Sequence, residues 1–191
     1  MVHSPVLNAI RNRRSVFPAQ YTGEPVEKET IEQLLELANW APTHKKTQPW
    51  RFKVIYGEGL KRLSEYLVEY YDENTPAEEV SEIKRNKMRK NPLKAGAVIA
   101  IILSRDEAQR VPEWEELAAV ACAVENMWIA SSAMGLGSFW STPAAALNAN
   151  EVLDLDSHER SLGFFDLGKI TQEAPDSERD PVSEKTEWIE A

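Results

Sequence analysis

One stretch of the chain predicts a helix that is apolar on nearly every side. The apolar run over residues 117–134 is interrupted only by Glu125, Asn126, Ser131 and Ser132. Pro112 suits the first turn of such a helix, acidic residues follow it, and Gly135 suits the end. A helix without a polar face must be buried in a large core or a membrane.

The middle of this helix carries Glu125 and Asn126, so we reject a membrane span. Small side chains along it, among them Ala118 and Ala121, allow another backbone to approach closely. We interpret it as a long, buried central helix, against which other elements or a second subunit pack.

The remaining apolar positions predict shorter helices and several strands. Helical periodicity covers residues 5–13, 26–40, 60–71 and 77–90, and a short helix is predicted over 144–153. Strands are predicted over residues 52–56, 97–103, 136–140 and 161–169. The β-branched run at 97–103 is typical of a central strand buried on both faces. Strands and helices do not alternate strictly, which predicts an α+β sandwich with a mixed, mostly antiparallel central sheet flanked by helices.

Composition narrows the class of protein. A 191-residue chain with 42% hydrophobic and 28% charged residues is typical of one soluble globular domain. We assign this domain to residues 1–170 and a polar, acidic tail to residues 171–191, where Trp188 and Ile189 suggest docking, in our interpretation on a dimer partner. A net charge of −9 argues against nucleic-acid and anionic-membrane partners.

The cysteine content and the N-terminal residues indicate the cellular compartment of the protein. Cys122 is the single cysteine, so the chain has no internal disulfide and fits a reducing compartment. Its apolar helical context predicts a core cysteine in preference to a nucleophile. The first residues lack the apolar core of a signal peptide, and we expect a cytoplasmic protein. We find no spacing of zinc ligands and predict no metal site.

Two polar segments are candidates for chemistry. Arg13, Arg14 and Ser15 follow the first helix. They are either a solvated helix end or an anion site, because guanidinium and hydroxyl groups bind phosphate with directed hydrogen bonds. Residues 41–50 form a polar, proline-containing loop, which is a common kind of binding site. The basic end of helix 77–90 reads as a solvated face, with a docking patch for an anionic reductant or substrate as the weaker alternative.

Taken together, four segments resemble the nitroreductase family of FMN-dependent oxidoreductases over residues 10–169. They are Arg13-Arg14-Ser15, residues 41–50, residues 135–142 and the strand that ends in Gly168-Lys169. The loop contains Ala41-Pro42-Thr43 and Gln48-Pro49-Trp50, which match paired motifs of the family. His44-Lys45 in this loop and Pro112 to Glu115 are similar to its YdjA-like, small single-domain branch.

The resemblance implies a nitroreductase-like sandwich that forms a homodimer, with FMN bound at the subunit interface. It implies that Arg13 and Ser15 bind the FMN phosphate with Arg14 beside them, and that Lys169 or Arg179 adds a cation. The flavin would be lined by loop residues of the partner subunit, Trp40, Pro42, Thr43 and His44, and by Lys46 and Gln48 of the same loop. Trp140, Ser141 and Thr142 would lie against the flavin or its phosphate. Residues 130–135 resemble a stretch that meets the nicotinamide.

The function implied by the resemblance is hydride transfer from NAD(P)H through flavin N5 to nitroaromatic, quinone or related small-molecule acceptors, by a ping-pong mechanism. Because the flavin carries the chemistry, no catalytic side chain is predicted. A flavin-storing or flavin-sensing protein with little turnover is the alternative, and a structural helical dimer without cofactor is a third.

Two departures from the family pattern bear on the site. Lys46 stands where many members have Asn, so that it either contacts the polar edge of the flavin and raises its potential or points to solvent. Val16-Phe17-Pro18 follows Ser15 where many members continue with a further Arg. Phosphate binding is therefore expected to depend more on Arg13 and on the C-terminal half of the chain.

Overall fold

The computed structural model describes residues 4–172 and 174–190, so Met1 to His3, Glu173 and Ala191 of the predicted domain and tail lie outside the described residues. Within these ranges four strands form one sheet: β1 (Trp50–Ile55), β2 (Ala97–Ser104), β3 (Leu136–Ser141) and β4 (Glu159–Lys169). Their order across the sheet is β1-β2-β4-β3, and each neighbouring pair is antiparallel. The sheet is therefore antiparallel in every described pairing, where the sequence predicted a mixed, mostly antiparallel one.

Helices cover both faces of the sheet. They are α1 (Pro5–Asn12), α2 (Lys28–Asn39), α3 (Glu58–Asn74), α4 (Glu82–Lys94), α5 (Glu113–Ala133) and α6 (Ala144–Leu147). One apolar core joins α2 and α5 to Ile99 and Ile101 of β2, and the other joins α3 and α6 to Val98 and Ala100. Every residue of β2 is buried, as expected of a strand with helices on both sides. The predicted α+β sandwich is confirmed.

The long helix α5 is covered on one side only. Val120, Val124 and Met127 are fully buried against α2 and the sheet. Ala118 and Cys122 lie on the opposite side and are exposed. The prediction of a core Cys122 is therefore wrong for the single chain, because an all-apolar helix does not reveal which side its own sheet covers. No helix in the described ranges combines the length and apolarity needed to cross a bilayer.

Three predicted segments differ in detail from the structure. The predicted helix over residues 77–90 is a 3-10 turn at Ala77–Glu79 followed by α4, which continues through Pro92 to Lys94. The predicted helix over residues 144–153 ends at Leu147, and turns follow. Trp188 and Ile189, predicted to dock, are 83% and 94% exposed on the single chain.

Tyr21 packs in a slot formed by two glycines on adjacent strands. Gly137 of β3 and Gly168 of β4 pair directly. A Cβ on Gly168 would lie 2.5 Å from Cγ and 2.6 Å from Cδ2 of Tyr21. The ring has little room to retreat, because its hydroxyl donates a hydrogen bond of 2.6 Å to the carbonyl of Val16. The glycines therefore allow the chain after Val16 to lie close to the sheet.

Gly168→Ala is expected to lower the free energy of unfolding by about 1–3 kcal/mol, the usual cost of overpacking a core. Urea unfolding measures the change. Gly59→Ala in the first turn of α3 is the matched control, because its Cβ would meet only the ends of side chains: Cγ2 of Ile55 at 3.2 Å and Nη2 of Arg62 at 3.9 Å. Alanine is also the better helix former, so the control should lose little or gain stability. Equal losses of unfolding free energy in the two variants would contradict the close packing of Tyr21 against Gly168.

Candidate functional site

The predicted anion-binding residues line one cavity. Arg13, Arg14 and Ser15 surround a volume of about 270 Å³ together with residues 174–177 and Arg179 of the tail. Lys169, the other predicted cation, pairs instead with Glu27, with Nζ 2.7 Å from Oε1. This hydrogen-bonded ion pair lowers the pKa of Glu27 and raises that of Lys169. Of the two cations that the resemblance left open, the structure brings Arg179 to the cavity.

Arg13 is held firmly but is not fully satisfied. Its guanidinium carbon lies 4.6 Å from the ring centroid of Trp128, in a cation–π contact. Its Nε lies 3.3 Å from Oε1 of Glu125 on α5. Its Nη1 is buried and has no hydrogen-bond partner among the described residues. A buried donor without an acceptor is costly, so this nitrogen favours a ligand that supplies an acceptor oxygen.

The side chain of Arg14 is hydrogen-bonded to the surrounding backbone and to the tail. Its Nη1 donates to the carbonyls of Arg11, at 2.6 Å, and Arg13, at 3.0 Å. Its Nε donates to the carbonyl of Pro175 at 3.3 Å, and its Nη2 lies 3.4 Å from Oδ1 of Asp176. Arg14 therefore ties the tail to the end of α1, which leaves Arg13 as the residue with an unused buried donor.

The loop that follows α2 is ordered and strained. Thr43 Oγ1 accepts a hydrogen bond of 3.1 Å from the backbone amide of Gln48. Lys45, Lys46 and Gln48 have positive φ angles of 49°, 55° and 44°. Such conformations are uncommon in residues other than glycine because they cost energy, and strained residues cluster at functional sites. Trp40, at the start of this loop, is 78% exposed.

This loop docks on the N-terminal end of α5. His44 Nδ1 lies 2.6 Å from Oε2 of Glu115, and Lys45 Nζ donates to the carbonyl of Arg110 at 2.9 Å. Pro42 and Lys46 are exposed on the single chain. The loop thus presents its predicted site residues to the outside of the molecule.

Helix α5 separates the loop from the arginine cavity. His44 contacts α5 at Glu115 and Arg13 contacts it at Glu125, ten residues further on. With a rise of 1.5 Å per residue, the two contacts lie about 15 Å apart along the helix axis. One chain therefore does not bring together these two sets of predicted site residues.

The third set of predicted residues lies at a second cavity, of about 560 Å³, on the α3 side of the sheet. Ser141 and Thr142 line it, whereas the Nε1 of Trp140 donates to the carbonyl of Leu162 at 2.9 Å. Its other walls include residues that sequence reasoning missed: Phe17, Lys87, Met88, Asn91, Phe139 and Asp166. A cavity of this volume suits a small-molecule ring system.

Asp166 is the buried acid of this cavity. It is 7% exposed, and its Oδ2 accepts a hydrogen bond of 2.9 Å from Ser141 Oγ. Burial raises the pKa of Asp166 to about 7, although the hydrogen bond from Ser141 favours the charged form. The pKa of Tyr21 is also raised, first by burial and then by the charge of Asp166. An acid between Phe165 and Leu167 in an apolar strand was the available signal for this residue.

We expect the free energy of unfolding of the wild type to fall between about pH 4 and pH 7, and we expect Asp166→Asn to remove this fall. Because the folded pKa is raised from 3.8 to about 7, the folded chain holds a proton that the unfolded chain releases in this range. The proton on Asp166 therefore stabilises the folded chain fully below about pH 4. This stabilisation, of up to about 4 kcal/mol, is lost as the pH rises through about 7. Urea unfolding of both proteins across this range measures the difference. Parallel pH profiles would contradict the raised pKa.

Comparison with known proteins gives consistent matches along the chain. Residues 10–169 match the model of the nitroreductase family. The chain is 32% identical over 165 residues to YdjA of Escherichia coli (strain K12), a provisionally named NAD(P)H nitroreductase, covering 85% of this chain and 86% of YdjA. It is 25% identical over 187 residues to YfhC of Bacillus subtilis (strain 168), also provisionally named an NAD(P)H nitroreductase, covering 96% of this chain and 93% of YfhC.

Solved structures agree with these matches. A nitroreductase-like family protein from Bacillus cereus is similar with a TM-score of 0.82 and 28% identity, covering 100% of this chain and 99% of that one. A provisionally assigned nitroreductase from Desulfovibrio desulfuricans, solved in complex with FMN, gives a TM-score of 0.77 and 26% identity, covering 100% of this chain and 99% of that one.

Proposed function

The chain belongs to the nitroreductase family, and on that premise we propose that it is an FMN-dependent oxidoreductase with NAD(P)H as its reductant. The observation that carries the proposal on this chain is Arg13, which lines a cavity together with two further arginines and whose buried Nη1 has no hydrogen-bond partner among the described residues. A phosphate oxygen is the acceptor that this donor needs.

The arginine cavity fits the FMN phosphate. The phosphate carries nearly two negative charges, and a protein with a net charge of −9 must hold it with local cations. Arg13 would donate through Nη1, and Arg179 and Ser15 would complete the set from the tail and from the end of α1. Arg14 would position the tail and would contribute its charge.

The cavity of about 560 Å³ fits the flavin ring. Phe17, Phe139 and Phe164 supply apolar walls, and Ser141, Thr142 and Asp166 supply polar groups for the edge of the ring. FMN would supply the redox chemistry when bound, because it accepts a hydride at N5 from NAD(P)H and reduces a nitroaromatic, quinone or related acceptor in a ping-pong cycle. The chain would hold the phosphate, orient the ring and limit the access of water.

We place the complete site in a homodimer. Apolar side chains of α1, of α2 and the residue after it, and of α5 are exposed on the single chain: Val6, Leu7, Ile10, Leu37, Trp40, Trp114 and Leu117. An exposed apolar surface of this kind is typical of a subunit interface. A second copy would cover it and would bring its own loop, with Trp40 and His44, to the flavin that the first copy holds. The separation of about 15 Å along α5 within one chain supports this arrangement.

Purified protein tests the proposal. We expect a yellow preparation whose flavin absorbance is bleached by NADPH or NADH without oxygen and is restored by a nitroaromatic or a quinone. FMN that stays oxidised in the presence of both reductants would favour the storage or sensing function. A colourless protein that added FMN neither binds nor stabilises would contradict both. A screen of acceptors with each reductant identifies the preferred pair.

A further inference from the structure

Asp166 has an unusual position for an acid. It lines the cavity proposed for the flavin ring, and among the described residues its side chain accepts a hydrogen bond from Ser141 alone. The described salt bridges include none to Asp166. A buried carboxylate normally has a cation or several donors, so this carboxyl group is poised to hold a proton.

The elements around Asp166 contribute few charges. Lys87 of α4 lines the same cavity but is exposed, and it is the cation of the described lining. The phenol of Tyr21 lies nearby and donates to the carbonyl of Val16 at 2.6 Å. Helix α3 and strand β2 face Asp166 with apolar residues, such as Leu63 and Val98. The charge of Asp166 is therefore set mainly by burial and by what occupies the cavity.

The hydrogen bonds allow Asp166 to exist in both protonation states. Ser141 Oγ lies 2.9 Å from Asp166 Oδ2 and 3.3 Å from the carbonyl oxygen of Phe164. When Asp166 is ionised, the hydroxyl of Ser141 donates to the carboxylate. When Asp166 is protonated, it can donate to Ser141 Oγ, whose own hydrogen then turns to the carbonyl of Phe164. Rotation of the Ser141 hydroxyl thus keeps the hydrogen bond between Ser141 and Asp166, whether Asp166 is protonated or ionised.

We propose that Asp166, positioned by Ser141, takes up a proton from solvent when the flavin bound in this cavity is reduced. The inference rests on the proposed function and adds a protein group that balances charge. Hydride transfer breaks a C–H bond of the dihydronicotinamide, forms N5–H and carries both electrons, so a neutral ring gains one negative charge. A new O–H bond on Asp166 cancels that charge within the cavity.

Electrostatics favours this uptake. A negative charge placed close to a carboxylate in a poorly solvated cavity raises its pKa, because two like charges are costly there. The stored proton also serves the second half of the cycle. A quinone that receives a hydride takes up one further proton to become a hydroquinone, and Asp166 would release its proton as the flavin is oxidised again.

Proton counting tests the inference directly. The FMN-loaded protein is reduced without oxygen by one equivalent of NADH or NADPH at about pH 8, in weak buffer with an indicator dye. Hydride transfer alone consumes no solvent proton, so we expect uptake approaching one proton per flavin in the wild type and almost none in Asp166→Asn. Asp156→Asn, which removes an exposed acid outside the cavity lining, is the matched control and should behave as the wild type.

Infrared difference spectra supply a readout that does not depend on a variant. Reduction of the wild type should produce a carboxylic-acid C=O band that shifts in heavy water. Ser141→Ala removes a hydrogen bond that favours the ionised form, so its proton uptake should shift to higher pH. A merely structural Ser141 would leave the pH dependence of uptake unchanged.

Different failures have different meanings. Equal proton uptake in the wild type and Asp166→Asn, or a wild type without the acid band on reduction, would overturn the role of Asp166 and leave the proposed function intact. FMN that NAD(P)H does not reduce would contradict the proposed function. Chemical reduction with dithionite would then still show whether the acid band forms. Failure to bind FMN at all would overturn both.

Discussion

Arg13→Ala is expected to weaken FMN binding by about 1.5–3 kcal/mol, which corresponds to roughly 10- to 150-fold in Kd. Arg13 is held by Glu125 and by the face of Trp128, so its guanidinium is oriented before any ligand arrives. Its buried Nη1 has no acceptor among the described residues, and the proposed phosphate would supply one. The variant therefore loses a charge-assisted hydrogen bond that needs little reorganisation. Titration of the apoprotein with FMN, followed by the change in flavin fluorescence, measures Kd.

Two further variants test whether the loss is specific to Arg13 and whether it depends on the shape of the side chain as well as its charge. Arg11→Ala removes an exposed arginine of α1, the helix that ends just before Arg13, and should leave Kd nearly unchanged. Arg13→Lys keeps the charge but loses the planar group that lies over Trp128, so an intermediate affinity is expected. If Arg13→Ala binds FMN as tightly as Arg11→Ala does, the phosphate lies elsewhere.

Ala118→Glu is expected to dissociate the dimer and to release FMN in the same protein. Ala118 lies on the side of α5 that its own sheet leaves exposed, beside Leu117 and Cys122. At a subunit interface this change would bury an unpaired carboxylate and overfill a space made for a methyl group. We expect at least about a 100-fold rise in the dissociation constant of the dimer, which is near 3 kcal/mol. Analytical ultracentrifugation and the flavin content of the purified protein report the two effects.

Ala108→Glu is the control for this prediction. It introduces the same side chain at an exposed position in the polar turn between β2 and α5, and it should remain a yellow dimer. An Ala118→Glu protein that stays dimeric would place the interface on another surface. A monomer that retains FMN would show that one chain is sufficient for the site.

The sequence was informative wherever a local pattern determined the structure. Helix α5 and strand β2 follow from their apolar residues, and the family resemblance is confirmed by the match over residues 10–169. The side of a uniformly apolar helix that its own sheet covers has no local signature, which is why Cys122 was misjudged. Helix α4 likewise continues through Pro92, because a proline in the last turn loses only one hydrogen bond and Pro92 is buried there.

The site was only partly predictable, because distant segments build it. The motifs predicted Arg13 and Ser15, which line the arginine cavity, but they could not decide between Lys169 and Arg179, since that depends on the ion pair of Lys169 with Glu27. The cavity walls were missed for the same reason. Phe17 and Phe139, whose ring centroids lie 4.5 Å apart, come from segments far apart in the sequence and share no motif.

The slot that holds Tyr21 has an evolutionary consequence. Its hydroxyl contacts the carbonyls of Val16, just after the arginine motif, and of Asp166, at the second cavity. A side chain can therefore arise at Gly168 only if the ring at Tyr21 becomes smaller in the same lineage, whereas one at Gly137 would also need room from Ile170. Related sequences should show Gly168 and Tyr21 changing together, and a lineage that has lost the ring should hold the two halves of the proposed cofactor site together by another bond.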